Sequence, residues 1–79
     1  MINVKNKKLI KAFGNKVREL RLSKELSQEG LANIADIPLS QIGRIERGEI
    51  NPTISTIYTL SIALDITLSE LVILDIPKS

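Results

Sequence analysis

Residues 27–48 read SQEGLANIADIPLSQIGRIERG, and this stretch decides the fold. It holds two short apolar-periodic runs separated by almost nothing. Ser27 is a natural N-cap, because its hydroxyl can accept from the free backbone N–H groups of the next turn. Glu29 follows at the positive end of a helix, where an acid is favoured. The spacing predicts a helix over residues 28–35, with Leu31, Ala32 and Ala35 inward. Asp36 and Ile37 break it. Pro38 is well tolerated at a helix start, since its missing N–H would be unpaired there anyway. A further helix is predicted over residues 38–47, burying Ile42 and Ile45 and stopping at Gly48, a natural C-terminal cap.

Helices joined by so tight a turn form a helix-turn-helix, whose second helix can enter a DNA major groove. With Ile42 and Ile45 inward, Ser40, Gln41, Arg44 and Arg47 fall on the opposite side. Arg suits guanine O6 and N7, Gln suits adenine N6 and N7, and Ser is less selective. Taken alone, these four also fit a helix that merely presents a polar face to water.

Working outward, Leu9, Phe13, Val17 and Leu20 fall at i, i+4, i+8 and i+11, which predicts an amphipathic helix over residues 8–23. Gly14 weakens it by about 1 kcal/mol relative to Ala and would allow a close helix crossing. After a loop at 49–52, Thr53 caps a helix predicted over residues 54–64, with Ile57, Leu60, Ala63 and Leu64 inward. Thr67 caps a last one over residues 68–74, with Glu70 completing a T-x-x-E capping box. Pro77 ends the structure. The fold class is all-α: five short helices in one domain over 9–76, behind a basic arm at 1–8 and before a short tail at 77–79.

The chain has 79 residues, enough for one domain, and 43% of them are apolar. It contains no Cys, which excludes disulfides and thiolate chemistry, and no His, which removes the commonest general base and metal ligand. Carboxylates such as Glu19 and Glu25 read as solvated surface rather than a paired acid and base. An enzyme is therefore not expected, nor a cofactor, a metal or a small-molecule ligand. Two aromatics, Phe13 and Tyr58, offer no stacking platform for single strands or RNA. No apolar run approaches the ~18 residues of a membrane span, and residues 1–8 do not resemble a signal peptide, so a cytoplasmic protein without membrane contact is expected. The net charge of +2 is segregated. Residues 1–24 carry eight basic groups against one acid, while the remainder carries three against eight. Such segregation builds a basic face for a polyanion, or merely a solvated basic helix.

The runs Ser27-Gln28-Glu29-Gly30-Leu31-Ala32, Ile42-Gly43-Arg44-Ile45-Glu46-Arg47-Gly48, Asn51-Pro52, Ala63-Leu64-Asp65-Ile66 and Leu68-Ser69-Glu70-Leu71 resemble the Cro/C1-type (lambda-repressor-like, XRE) helix-turn-helix family. The resemblance covers about residues 9–74 and is nearest to short single-domain members: phage repressors, restriction–modification controller proteins and some antitoxins. It implies a transcriptional regulator that binds a double-stranded operator in sequence-specific fashion as a two-fold homodimer. By position, Leu39, Ser40, Gln41 and Arg44 would face base edges. Gln28 would touch a phosphate and steady the recognition helix. Arg21 and Glu46 would form a structural ion pair between the first and third helices.

Several residues depart from the family pattern, among them Gly30, Gly43, Pro38 and the acidic Glu49, which follows the third helix where many relatives carry basic groups. Backbone contacts are therefore expected from Ser27, Gln28, Arg47 and the lysines Lys5, Lys7 and Lys8. The apolar surplus Leu68, Leu71, Val72, Ile73 and Leu74 suggests a dimer interface at 66–76, against the plainer reading that the tail folds back over its own core. The alternative function is an antitoxin that masks a toxin and autoregulates its operon.

Overall fold

The computed structural model describes residues 6–76, and among them forms five helices and no strand. They are α1 (Lys7–Ser23), α2 (Gln28–Ala35), α3 (Leu39–Glu46), α4 (Ile54–Ala63) and α5 (Leu68–Leu71). Lys5 and Pro77, singled out in the sequence, lie outside the described residues. No helix in the described part is long and apolar enough to cross a membrane.

Local chemistry explains where the helices begin. The side chains of Asn6, Ser27, Thr53 and Thr67 accept from the N–H groups of Leu9, Gly30, Thr56 and Glu70, at 2.9–3.2 Å. Each cap satisfies one of the donors that a helix start leaves free. Pro38 opens α3 without a side-chain hydrogen bond, but its carbonyl accepts from Gln41 and Ile42.

The helix ends share a different device. Glu25, Asp36, Gly48 and Asp65 all adopt the left-handed conformation, with φ of 58°, 56°, 72° and 57°. After α1, α3 and α4, the next N–H reaches back to a last-turn carbonyl: Leu26 to Arg21, Glu49 to Arg44, Ile66 to Ser61. These are Schellman-type ends, which let helices of 8–17 residues follow one another through very short turns.

The core is one cluster, built from Phe13 and Val17 of α1, Leu31, Ala32 and Ala35 of α2, Ile42 and Ile45 of α3, and Leu60, Leu64 and Leu71. α3 packs against both α1 and α2, while α4 packs against α2 and α5. α1 keeps the expected stripe at Phe13, Val17 and the partly buried Leu20, but at its start Ile10, not Leu9, is buried. Ile10, Phe13 and Val17 lie at i, i+3 and i+7, one face of a 3.6-residue helix. Leu9 sits at the rim of an open apolar groove with Phe13, Pro52, Ile57 and Val72.

α5 is shorter than the expected 68–74. It ends at Leu71, and Val72 forms the C-cap. Residues 72–76 then run without regular structure, and Ile73, Leu74 and Asp75 line an open cleft together with Ala12, Asn15 and Lys16 of α1. Leu74 packs on the core cluster. The fold-back reading thus holds for this part of the tail.

Candidate nucleic-acid interface

The second and third helices meet as the sequence requires. Asp36 takes the left-handed turn, Ile37 donates to the Ala32 carbonyl at 3.1 Å, and α3 begins two residues later. α3 is sharply two-sided. Ile42, Gly43, Ile45 and Glu46 are buried; Leu39, Ser40, Arg44 and Arg47 are exposed, and Gln41 is half-buried. Ser40, Arg44 and Arg47 follow i, i+4, i+7 and so share one outward face.

The buried half is held by a lock across three segments. Arg21 of α1 donates side-on to Glu46, Nε to Oε2 at 2.7 Å and Nη2 to Oε1 at 3.0 Å. Its Nη1 donates to the Leu26 carbonyl at 2.8 Å. The hydrogen bond to Glu46 raises the Arg21 pKa above its ordinary value, against the opposing effect of burial. Gln28, at the start of α2, adds a donation from Nε2 to Glu46 Oε1 at 3.1 Å. A buried carboxylate is costly unless paired and hydrogen-bonded; here both oxygens are engaged. Among the described residues no buried side-chain nitrogen or oxygen lacks a partner.

Gly14 seats α3 against α1. A Cβ built there would fall inside contact distance of the Ile45 carbonyl oxygen and 2.8 Å from that of Glu46. The two helices touch backbone to backbone at the lock. One turn earlier, Gly48 comes so close to α1 that its Cβ would lie 3.0 Å from the Lys11 Cα.

The remaining sequence-derived residues fall as follows. Ser27 is exposed, and its hydroxyl oxygen is used on Gly30. One Nε2 hydrogen of Gln28 remains free, alongside the backbone N–H groups at the start of α2, which have no partner within the helix. Lys7 and Lys8 are exposed in the first turn of α1. Arg47 is exposed but engaged, with Nε donating to Glu49 Oε2 at 2.6 Å.

The residues expected at a 66–76 interface differ in exposure, and Leu71 is not available to one. Leu71 is 0% exposed and belongs to the core. Leu68 and Leu74 are half-buried within the chain, which leaves Val72 and Ile73 outward. Sequence reasoning missed a larger apolar surface on α4: Ile54, Tyr58 and Ile62, 69%, 56% and 61% exposed, at i, i+4 and i+8. The signal was present, because α4 carries apolar residues on every side while its inner face needs only Ile57, Leu60 and Ala63.

Comparison with known proteins agrees with this geometry. Residues 17–71 match the family HTH_3, described as Helix-turn-helix. The chain is 42% identical over 60 residues to the control protein C.MunI of Mycoplasma sp, covering 75% of this chain and 81% of the relative. It is 43% identical over 60 residues to the control protein C.BamHI of Bacillus amyloliquefaciens, covering 75% and 74%. The crystal structure of the restriction–modification controller protein C.AhdI from Aeromonas hydrophila superposes with a TM-score of 0.75 at 46% identity, covering 80% of this chain and 94% of that one.

Proposed function

Since the chain belongs to the HTH_3 family of Cro/C1-type helix-turn-helix DNA-binding regulators, we propose that it controls the genes of a restriction–modification system by binding an operator as a two-fold dimer. The carrying observation is the division of α3. Its buried half is locked to α1 and α2 through Arg21, Gln28 and Glu46, while its exposed half presents Leu39, Ser40, Gln41 and Arg44. A rigidly seated helix with a polar, cationic outer row suits direct readout in the major groove. Arg44 is the principal reader, matched to guanine, and Leu39 covers a thymine methyl. The start of α2, with Ser27 and Gln28, fixes the backbone through its free N–H groups. Lys7 and Lys8 neutralise phosphates at the flank, together with Lys5. The restriction–modification controller protein C.AhdI, with the control proteins C.MunI and C.BamHI, supports the assignment to that context.

Selection of bound duplexes from a random pool tests the reading. The expected product is a two-fold repeat with half-sites about 34 Å apart. Arg44→Ala is expected to lower the preference for the selected site over unrelated DNA by about tenfold, the worth of one bidentate base contact. Equal affinity for all duplexes would overturn the assignment.

Dimerisation is supported by the row Ile54, Tyr58 and Ile62, three large apolar side chains exposed on one face of α4. Val72, Ile73 and Ile76 add the exposed apolar groups of the tail. Sedimentation of the wild type and of Ile54→Glu/Ile62→Glu is expected to show a dimer and a monomer respectively, both folded. A wild type that stays monomeric at every concentration, with and without DNA, sinks the dimer.

A further inference from the structure

The turn that ends α3 also places a charge. Gly48 and Glu49 donate to the carbonyls of Ile45 and Arg44, at 3.1 and 2.9 Å, so the Glu49 backbone is pinned against the last turn of the recognition helix. Its carboxylate accepts side-on from Arg47, from Nε at 2.6 Å and from Nη2 at 3.4 Å. The hydrogen bond from Arg47 holds the Glu49 carboxyl below its ordinary pKa, with smaller Coulombic help from Arg47 and Arg44. An exposed ion pair of this kind contributes little to stability. Its consequence is where it puts the guanidinium.

Gly43 completes the arrangement. A Cβ at that position would lie 2.9 Å from Arg47 Nη1 and 3.7 Å from Cζ. The guanidinium therefore lies back along α3, in the space a side chain at residue 43 would fill. A guanidinium has five N–H donors. The side-on pair uses Nε–H and one Nη2–H, which leaves the Nη1 hydrogens and the outer Nη2 hydrogen uncommitted. That end-on edge still presents two parallel N–H groups, the pattern that spans O6 and N7 of guanine. A phosphate contact needs only charge, and a neighbouring acid opposes it. A base contact gains from fixed orientation.

Resting on the DNA-binding reading above, the geometry points to Arg47 as a further base-reading residue for guanine, with Glu49 as its positioning residue and Gly43 as the gap that admits it. Sequence reasoning had placed Arg47 with the backbone contacts. The recognition helix then reads through a side chain anchored beyond its own C-terminus.

The test measures affinities of the full chain for the selected operator, for operators substituted at each guanine, and for an unrelated duplex. Arg47→Lys keeps the charge but lacks the planar fork. Glu49→Gln frees the guanidinium, and Gly43→Ala displaces it at the cost only of moving a flexible side-chain end. All three are expected to lose about tenfold of discrimination at the same guanine, the worth of one bidentate contact. Arg47→Lys, which keeps the charge, loses less affinity for unrelated DNA than for the selected operator, and the affinity of Glu49→Gln for unrelated DNA rises as one acid is removed. All three melt at or above the wild-type temperature, which separates the effect from misfolding. Base preferences left intact in Arg47→Lys and Glu49→Gln would overturn the proposal and return Arg47 to the phosphates. Losses at three unrelated base pairs would also overturn it. A wild type that discriminates at no position removes the DNA-binding reading itself, a different outcome from either.

Discussion

Gly14→Ala is expected to destabilise the protein by about 3 kcal/mol, the upper range for overpacking a core, and to lower Tm by roughly 15 °C for a domain of this size. A methyl group at this position has two opposing effects. Alanine favours helix over glycine by about 1 kcal/mol. Against that, the new Cβ would press on the Ile45 and Glu46 carbonyl oxygens. Both are backbone atoms of a packed helix and cannot swing aside as a side-chain end would, so the clash outweighs the propensity. Relief requires α3 to move away from α1, which also strains the Arg21–Glu46 pair. Thermal unfolding followed by circular dichroism reads the loss. A variant melting within 2 °C of the wild type would contradict the backbone contact between the two helices.

Glu46→Ala is expected to cost about 3–5 kcal/mol, the range for removing one partner of a buried ion pair. Arg21 would keep a single acceptor, the Leu26 carbonyl, while Gln28 would lose its own. A domain of this kind has total stability of about 5–15 kcal/mol, so the variant is at the edge of folding. The double variant Arg21→Met/Glu46→Leu separates the pair from its surroundings. It removes both charges while keeping apolar volume, and is expected to recover most of the loss, as replaced buried pairs often do. Urea unfolding of Arg21→Met, of Glu46→Leu and of the double variant closes the cycle. A double variant no more stable than Glu46→Ala would mean that the cost does not come from the orphaned arginine.

Much of this was legible in the sequence because it is local. Ser27, Thr53 and Thr67 announce helix starts through a hydrogen bond three residues long, and the structure contains each of them. The bounds of α2 agree with the expected 28–35, and those of α3 fall one residue inside 38–47 at each end. What failed depended on tertiary context. Leu9 and Ile10 are both apolar and adjacent, so periodicity alone could not say which faces inward. The run Leu71 to Leu74 looks like a continuing helix, yet α5 stops at Leu71, which is buried in the core, and Leu74 packs on that core from the irregular chain beyond it. Arg21 and Glu46 stand 25 residues apart, and only the family resemblance joined them before the geometry did. The Arg47–Glu49 contact was illegible for another reason. Residues two apart do not meet on a helix; they meet here because Gly48 turns left-handed between them.

The two-sidedness of α3 has an evolutionary consequence. The residues that hold the helix, Ile42, Ile45 and Glu46, and those that face outward, Leu39, Ser40 and Arg44, are disjoint sets. Substitutions at exposed positions of this kind usually change stability by no more than about 0.5 kcal/mol. On the proposed reading, the outward set is therefore free to drift to new operators while the fold stays above its folding threshold. Gly43 departs from this separation, since it is buried and yet makes room for an outward group. On the proposed reading, a lineage that fills residue 43 would lose the Arg47 contact and with it the preference at that guanine.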